Sequence, residues 1–363
     1  MKKKIKTYSK YLNLDKLLSL QKMESEKHND KKHDEMLFII IHQSYELWFK
    51  QIIYELDSII NLFSSNYVQE QNLGIVISRF NRIIEIQKLL INQMSVLETM
   101  TPMDFLEFRN YLNPASGFQS AQFRMIENKL GLKLEDRIKF DNKNYDDYLD
   151  ASEKKIVNNT ENDNSLFELI KKWLERTPFL QSNEFDFWIE YEKAVHSAIE
   201  SDINDIQNNK NLNVDAMQSS IKHYDSIKNN FKKLFSKNGF PNDKDSLSQK
   251  AILGALFILL YRDEPILQLP HKLLSQLIEM DQLWTNWRSK HSLLAFRMIG
   301  AKIGTGGSSG YKYLKKATSK HTIFSDITNL STYIIPRNEL PELPDKIKHQ
   351  LGFYFTYGKK SNV

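Results

Sequence analysis

Apolar residues recur every three or four positions through most of the chain, the spacing of one face of an α-helix. Residues 33–63 give the clearest pattern, with apolar side chains at Phe38, Ile41, Tyr45, Trp48, Ile52, Leu56, Ile59 and Phe63. Residues 74–100 repeat it, and Pro102 stands where the next helix, over residues 102–112, would begin. No stretch alternates apolar and polar residues as a half-buried strand would. The pattern predicts an all-α protein.

The same spacing predicts further helices over residues 117–129, 183–209, 214–235, 246–260 and 270–300. Residues 141–164 are instead rich in Asn, Asp and Lys, which is typical of a solvated loop. We therefore expect residues 1–129 and 246–363 to form the main helical body. Residues 130–245 are expected to form a smaller helical insertion.

Composition excludes several classes of chemistry and partner. The chain has no cysteine, which removes disulfides, thiolate metal sites and cysteine nucleophiles. Its net charge of +5 is too small and too dispersed to require a nucleic acid. The longest apolar run, residues 251–260, is too short to span a bilayer, and no apolar segment follows the basic start. We expect a cytoplasmic protein without a membrane or nucleic acid partner.

One histidine lies on an apolar helical stripe. His291 follows Trp284 and Trp287 and precedes Leu294 and Met298, at spacings of three and four residues. A lone histidine in this setting is usually a core residue with a local hydrogen bond. The alternative is an axial ligand to a flat, apolar cofactor, and haem suits it because a single imidazole suffices.

Two other helices each present an aromatic and a polar residue four positions apart. Phe38 and His42 share a face of the first long helix, and Phe105 and Arg109 share a face of a later one, continued by Leu112. An arginine facing the interior needs an anion, and its planar guanidinium suits a carboxylate. That carboxylate could belong to a ligand or to an internal Asp or Glu.

The segment over residues 300–310, GAKIGTGGSSG, holds five of the chain's twelve glycines. A backbone so free of side chains can approach a ligand closely and offer it several N–H donors. The spacing matches neither a Walker loop nor a dinucleotide-binding fingerprint. A flexible surface linker is the alternative interpretation.

Four blocks of sequence together resemble the tryptophan 2,3-dioxygenase family. They are HDEMLFIIIHQSYELWFKQIIYELDS (33–58), FRNYLNPASGFQSAQFRMIENK (108–129), RMIGAKIGTGGSSGYKY (297–313) and NLSTYIIPR (329–337). The resemblance runs from near Tyr8 to about Pro344 and weakens in the Asn-rich middle. Four long blocks in the right order are specific in a way that no single short motif is.

The resemblance implies an all-helical homotetramer, a dimer of dimers, with one haem b in each subunit. The family inserts both atoms of O2 across the indole C2–C3 bond of L-tryptophan. The product is N-formylkynurenine, and the reaction is the first step of tryptophan catabolism by the kynurenine pathway. The alternative is a helical sensor that binds haem or tryptophan without turnover.

The resemblance also implies roles for individual residues. His291 matches the axial ligand of the haem iron, and Ser116 matches a residue close to the haem. His42 matches the catalytic-site histidine that hydrogen-bonds the indole N–H. Arg109 matches the clamp on the substrate carboxylate, and Thr305 matches the hydroxyl that holds the ammonium together with a haem propionate.

Two further groups are implied to surround the substrate. The walls around the indole would be formed by Phe38, Phe105 and Leu112. A segment from a neighbouring subunit would complete the site through Tyr8, Tyr11 and Leu12.

Overall fold

The computed structural model describes residues 7–65, 68–133, 135–138, 145–180, 185–236, 246–300, 302 and 311–352. Helices make up most of these residues, and no sheet is present among them. The predicted all-α class is confirmed. None of the helices in the described ranges is both long and apolar enough to cross a bilayer.

In chain order the α-helices are α1 (Tyr8–Leu12), α2 (Leu14–Leu17), α3 (Glu24–Lys27), α4 (Glu35–Phe63), α5 (Glu70–Leu97), α6 (Pro102–Leu112), α7 (Ala121–Leu130), α8 (Ala151–Glu161), α9 (Leu166–Leu174), α10 (Phe187–Asn208), α11 (Val214–Phe235), α12 (Gln249–Leu260), α13 (Gln268–Ile299), α14 (Tyr311–Lys320), α15 (Ser325–Asn329) and α16 (Asp345–Leu351). Short 3₁₀ turns lie at Gly117–Gln119, Tyr145–Tyr148, Pro265–Leu267, Leu330–Tyr333 and Arg337–Glu339. The long helices α4, α5, α10, α11 and α13 match their predicted positions within a few residues at each end.

The start of α6 shows how local sequence determines a helix end. The Thr101 hydroxyl accepts the backbone N–H of Asp104 at 3.2 Å, and the Asp104 carboxylate accepts the backbone N–H of Thr101 at 3.0 Å. This reciprocal capping box satisfies two donors that the helix itself cannot. Pro102 occupies the first turn, as the sequence predicted.

The helix predicted over residues 117–129 is wrong in its first turn. The structure has a 3₁₀ turn at Gly117–Gln119, a break at Ser120, and then α7. Two serines explain the break, because each caps its own helix. Ser116 Oγ accepts the Phe118 N–H at 3.3 Å, and Ser120 Oγ accepts the Phe123 N–H at 3.2 Å.

The loop predicted over residues 141–164 is also wrong in part, because it contains α8; residues 141–144 lie outside the described ranges. Asp150 caps α8 and forms a capping box with Glu153, a signal that the Asn-rich composition obscured. Val157 and Thr160 are buried, and Asn128 Nδ2 on α7 donates to the Val157 carbonyl oxygen at 3.2 Å. Packing against α7 therefore stabilises a helix with a polar sequence.

The chain divides into two compact units. The first consists of the described parts of Met1–Ser58, Arg82–Ser165 and Met280–Thr322; the second consists of those of Ile59–Asn81, Leu166–Glu279 and Ile323–Val363. The predicted division into a main body and an insertion at residues 130–245 stays a prediction.

In the first unit, α5 is bonded to both α4 and α13. The Tyr45 hydroxyl donates to the Leu90 carbonyl oxygen at 2.6 Å, and Lys290 Nζ donates to the Ile91 carbonyl oxygen at 3.0 Å. Gln87 Nε2 adds a buried bond to the Met280 carbonyl oxygen at 3.1 Å. These side-chain bonds to backbone acceptors fix the register of three long helices around one interior.

In the second unit, α10 and α12 meet through aromatic rings. The Phe187 ring stacks on Tyr191 at 5.3 Å and meets the edge of Phe257 at 5.1 Å. The Tyr191 hydroxyl donates to the Tyr333 carbonyl oxygen. Nearby, α9 and α12 approach so closely that the contact needs a glycine at position 254, because a Cβ there would lie 2.5 Å from the Thr177 hydroxyl oxygen.

This close approach predicts opposite effects for two glycine-to-alanine changes within the second unit. Gly254→Ala should lower the free energy of unfolding by roughly 1–3 kcal/mol, because the added methyl overpacks a full contact. Gly74→Ala, on α5 with nothing within 4 Å of its Cβ position, should raise it by about 0.5–1 kcal/mol from helix propensity. Urea unfolding measures both, and a stabilised Gly254→Ala protein would contradict the close contact.

Candidate active site

A cavity of about 310 Å³ lies inside the first unit, lined by residues of α4, α5, α6, α7, α13 and α14. Most of its wall is apolar and is formed by Phe38, Phe49, Met94, Leu97, Phe105, Phe123, Leu294 and Met298. A few polar side chains interrupt this wall. An apolar cavity with few polar groups is the usual form of a small-molecule site.

His42 lines the cavity from α4, and its ring position is set by a backbone carbonyl. Its Nδ1 lies 2.7 Å from the Phe38 carbonyl oxygen, which can only accept a hydrogen bond. Nδ1 therefore carries the proton. Burial lowers the pKa of His42, against the opposing effects of the Phe38 carbonyl and Glu46, so the ring is neutral at neutral pH. In this tautomer Nε2 is an acceptor.

Aromatic rings form the wall beside His42. The Phe38 ring lies 4.0 Å from the His42 ring and 5.8 Å from the Phe105 ring, measured between centroids. Phe108, fully buried, meets the edge of Phe105 at 5.4 Å. Helices α4 and α6 thus jointly hold two apolar rings at the cavity surface.

Arg109 lines the cavity from α6, one turn after Phe105. The helix is fixed at its start by the Thr101–Asp104 capping box and near its end by the Tyr111 hydroxyl, which donates to Asp30 at 2.7 Å. A guanidinium on a helix anchored at both ends has a defined position at the cavity wall. This arrangement fits a carboxylate ligand.

His291 lines the same cavity from α13. Its ring stacks on Trp287 at 5.3 Å with an interplanar angle of 14°, and Trp287 in turn packs on Phe123 at 5.1 Å. Burial is the larger of two causes that lower the pKa of His291 to about 4; the smaller is the positive charge of a protonated His42. The imidazole is therefore neutral at neutral pH, which is the form that binds a metal ion.

A second polar group surrounds Glu127, a buried residue of α7. One carboxylate oxygen lies 2.7 Å from Arg124 Nη1 and 2.8 Å from Arg137 Nη1. The other lies 3.1 Å from Arg288 Nη2 and 3.6 Å from His321 Nδ1. Burial acts to raise the pKa of Glu127, but the arginines and His321 hold it well below its usual range. The carboxylate is therefore charged.

The sequence analysis missed this cluster, although Arg124, Glu127, Arg288 and His321 all line the cavity. Two local signals existed. Arg124 and Glu127 are three residues apart on α7, and Arg288 precedes His291 by one turn on α13. The contact between Arg288 and Glu127 joins residues 161 positions apart, which helical spacing cannot reveal.

The structure brings together six of the residues singled out from sequence. The cavity is lined by Phe38, His42, Phe105, Arg109, Ser116 and His291. Leu112 packs beside it, against the core cluster that contains Phe108, but is not part of its lining. On α1, the side chains of Tyr8, Tyr11 and Leu12 are 75%, 68% and 40% exposed. Thr305 lies outside the described residues.

Comparison with known proteins gives consistent results along the whole chain. The sequence profile of the family described as Tryptophan 2,3-dioxygenase matches residues 1–334. A tryptophan 2,3-dioxygenase of Dictyostelium discoideum is 47% identical over 351 residues, covering 95% of this chain and 88% of the relative. One from Alteromonas mediterranea is 45% identical over 360 residues, covering 98% and 99%.

A third relative, from Bdellovibrio bacteriovorus and also named tryptophan 2,3-dioxygenase, is 45% identical over 352 residues, covering 96% of this chain and 98% of its own. Identity at this level over nearly full-length alignments leaves no large segment unmatched. The all-α fold agrees with what the resemblance implied. The chain therefore belongs to the tryptophan 2,3-dioxygenase family.

Proposed function

We propose that this protein uses O2 and a haem b held by His291 to cleave the indole C2–C3 bond of L-tryptophan, giving N-formylkynurenine. One observation carries the proposal: a single cavity is lined both by the neutral imidazole of His291 and by Phe38, His42, Phe105 and Arg109. Family membership supports the reaction type.

The residues present fit a haem. The neutral His291 ring can serve as an axial ligand, and the surrounding wall is apolar. In addition, Nε2 of the buried His321 has no hydrogen-bond partner among the described residues, and this side chain lines the cavity. Such an atom suits a polar substituent of a bound group. When bound, haem supplies the oxygen chemistry, and the protein supplies position and environment.

His42 would orient the indole. Because its Nδ1 proton is directed to the Phe38 carbonyl, Nε2 is left as an acceptor for the indole N–H. The lowered pKa keeps this acceptor free of a second proton at neutral pH. His42 is then a positioning and polarising group and does not have to remove a proton.

Arg109 and the aromatic rings would complete the recognition of tryptophan. Tryptophan is a zwitterion with a flat apolar ring, so it needs a cation for its carboxylate and apolar walls for the indole. Arg109 supplies the first, and Phe38 and Phe105 supply the second. We assign the ammonium to Thr305. The apolar wall would also limit water near the reacting atoms and hold the substrate in one orientation, which lowers the entropic part of the barrier.

We propose a homotetramer, a dimer of dimers with one haem per subunit, in which α1 enters a neighbouring subunit. Its large side chains, Tyr8, Tyr11 and Leu12, are exposed on their own chain. Exposed aromatic groups on one short helix are typical of a contact surface.

A cytoplasmic location stays a prediction. A sensor without turnover is not favoured, because the cavity holds groups for both the haem and the substrate.

The axial role of His291 is tested on purified protein. The wild type should contain haem, with a Soret band, and should convert tryptophan to a product that absorbs as N-formylkynurenine. His291→Ala should lose most of its haem and its activity, because no other residue of that helix presents an imidazole to the cavity. His196→Ala, at an exposed ion pair with Glu192, is the matched control and should retain both. Full haem and turnover in His291→Ala would rule out this assignment.

The role of Arg109 is tested by comparing tryptophan with tryptamine, which lacks the carboxylate. Arg109→Ala should lower kcat/KM for tryptophan by roughly 30-fold or more, since truncating one member of a buried charge pair costs about 2–5 kcal/mol. Its kcat/KM for tryptamine should change little. Haem content serves as the control and should equal that of the wild type. An equal loss with both substrates would show that Arg109 acts through the fold and not through the carboxylate.

The shared site is tested by co-expressing two variants that each turn over tryptophan poorly alone, Tyr11→Ala and Arg109→Ala. In mixed oligomers the intact α1 of the Arg109 variant can enter the intact cavity of the Tyr11 variant. Activity should therefore return in mixed oligomers only. If every cavity instead uses its own chain's α1, mixed oligomers isolated with two affinity tags will stay inactive, and the neighbouring-subunit proposal fails.

A further inference from the structure

His321 is a buried cavity residue whose partner in the haem-bound protein the proposed function leaves unidentified. It follows the last residue of α14, is 2% exposed, and lines the same cavity as His291. Its Nε2 is buried and has no hydrogen-bond partner within the described ranges. A buried polar atom left without a partner costs free energy, so such an atom on a residue that lines a cavity indicates a ligand group that completes it.

The orientation of the imidazole is fixed from the opposite side. Nδ1 lies 3.6 Å from a carboxylate oxygen of Glu127. The backbone is held as well, because Arg288 Nη1 donates to the His321 carbonyl oxygen at 3.0 Å and the His321 N–H donates to the Ala317 carbonyl oxygen at 3.1 Å. The ring therefore has one nitrogen beside Glu127, and its other nitrogen has no partner among the described residues.

The neighbours of His321 define the chemistry of the missing group. Arg288 and Arg124 line the same cavity and share the Glu127 carboxylate with His321. A site with two guanidiniums beside an imidazole favours an anionic acceptor, and a carboxylate matches both types of donor. The two ligands of the proposed reaction carry three carboxylates, one on the tryptophan and two on the haem propionates.

We propose that His321, together with Arg288, binds a propionate carboxylate of the haem through Nε2. This inference rests on the proposed function. The haem is favoured over the substrate because Arg288 precedes His291 by one turn on α13, so the helix that provides the axial ligand also provides a partner for the carboxylate. The substrate carboxylate already has Arg109, which comes from α6.

The same geometry predicts that His321 takes up a proton when haem binds. Among the described residues, the charged groups that act on the His321 ring are Glu127, Arg288 and Arg124. In the protein alone, burial lowers the pKa of His321, Glu127 raises it, and the two arginines lower it further; the net shift is downward and the ring is neutral. A carboxylate at Nε2 favours the imidazolium, which donates to Glu127 and to the ligand at once. Haem binding then takes up a proton.

Haem affinity should therefore depend on pH. The pKa of His321 is higher with haem than without it, so haem is held more tightly at low pH. The additional affinity is lost as pH rises through the pKa of the haem-bound form. A residue with a purely structural role would give no such dependence.

The test measures the rate at which the holoenzyme loses haem to an excess of a haem-scavenging protein at pH 6 and pH 8. At pH 6, His321→Phe should lose haem roughly 10- to 100-fold faster than the wild type, the range for one charge-assisted hydrogen bond. The ratio should shrink at pH 8. His321→Gln, whose amide can donate but cannot take up a proton, should lie between them with little pH dependence. His196→Gln is the exposed control and should match the wild type.

A second arm identifies the occupant. Protein loaded with haem dimethyl ester, which has no free carboxylate, should lose its cofactor at the same rate in the wild type and in His321→Phe. Tryptophan affinity, read from the shift of the Soret band, should be unchanged in haem-loaded His321→Phe. Weaker tryptophan binding with normal haem retention would assign His321 to the substrate and overturn the proposal.

Failure of this inference is distinguishable from failure of the proposed function. A haem-loaded, active wild type whose two His321 variants lose haem at the wild-type rate at both pH values overturns only the inference. A purified wild type that contains no haem and does not oxidise tryptophan overturns both. Thermal unfolding of each variant identifies a folding defect. If His321→Phe has such a defect, the conclusion rests on His321→Gln, whose side-chain amide takes nearly the same place as Nε2 of the histidine.

Discussion

The buried carboxylate of Glu127 joins four segments of the first unit. Through its two oxygens it contacts Arg124 on α7, Arg137 in the segment after α7, Arg288 on α13 and His321 after α14. A charge in the interior is tolerated only when it is fully paired, and removing such a carboxylate leaves buried cations without it. This group therefore ties the helix that carries His291 to α7, in addition to the bonds that α13 makes with α5.

Burial lowers the pKa of both His42 and His291, so both rings are neutral at neutral pH. The two proposed roles use this neutral form differently. For His42, a local bond to the Phe38 carbonyl fixes the tautomer, so a neutral ring presents an acceptor to the cavity. For His291, stacking on Trp287 fixes the ring plane, and burial keeps its nitrogen available to a metal. Because Glu127 is surrounded by arginines, its charge is neutralised locally and does not draw a proton onto His291.

Helical spacing predicted the features that depend on residues close in sequence, namely the positions of the long helices and the pairs of residues one turn apart. It gave α4, α5, α10, α11 and α13 nearly in full, and it placed His42 one turn from Phe38 and Arg109 one turn from Phe105. It failed at α8, where packing against α7 outweighs a polar composition. It also missed the contacts of Glu127, since Arg288 and His321 approach it only after the helices pack. Family resemblance, not spacing, indicated which cavity residues would hold haem and which tryptophan.

The distribution of polar groups around the cavity suits two flat ligands better than one. Haem and tryptophan are each an apolar ring system with carboxylate at one edge, so each needs an apolar wall and a separate cationic edge. The cavity offers cationic groups from different helices, Arg109 on α6 and Arg288 on α13, with aromatic and aliphatic side chains in the rest of its lining. Because the two cationic groups lie on different helices, each can bind the carboxylate of one ligand and position that ligand independently. A reaction that depends on the relative position of two bound molecules requires this.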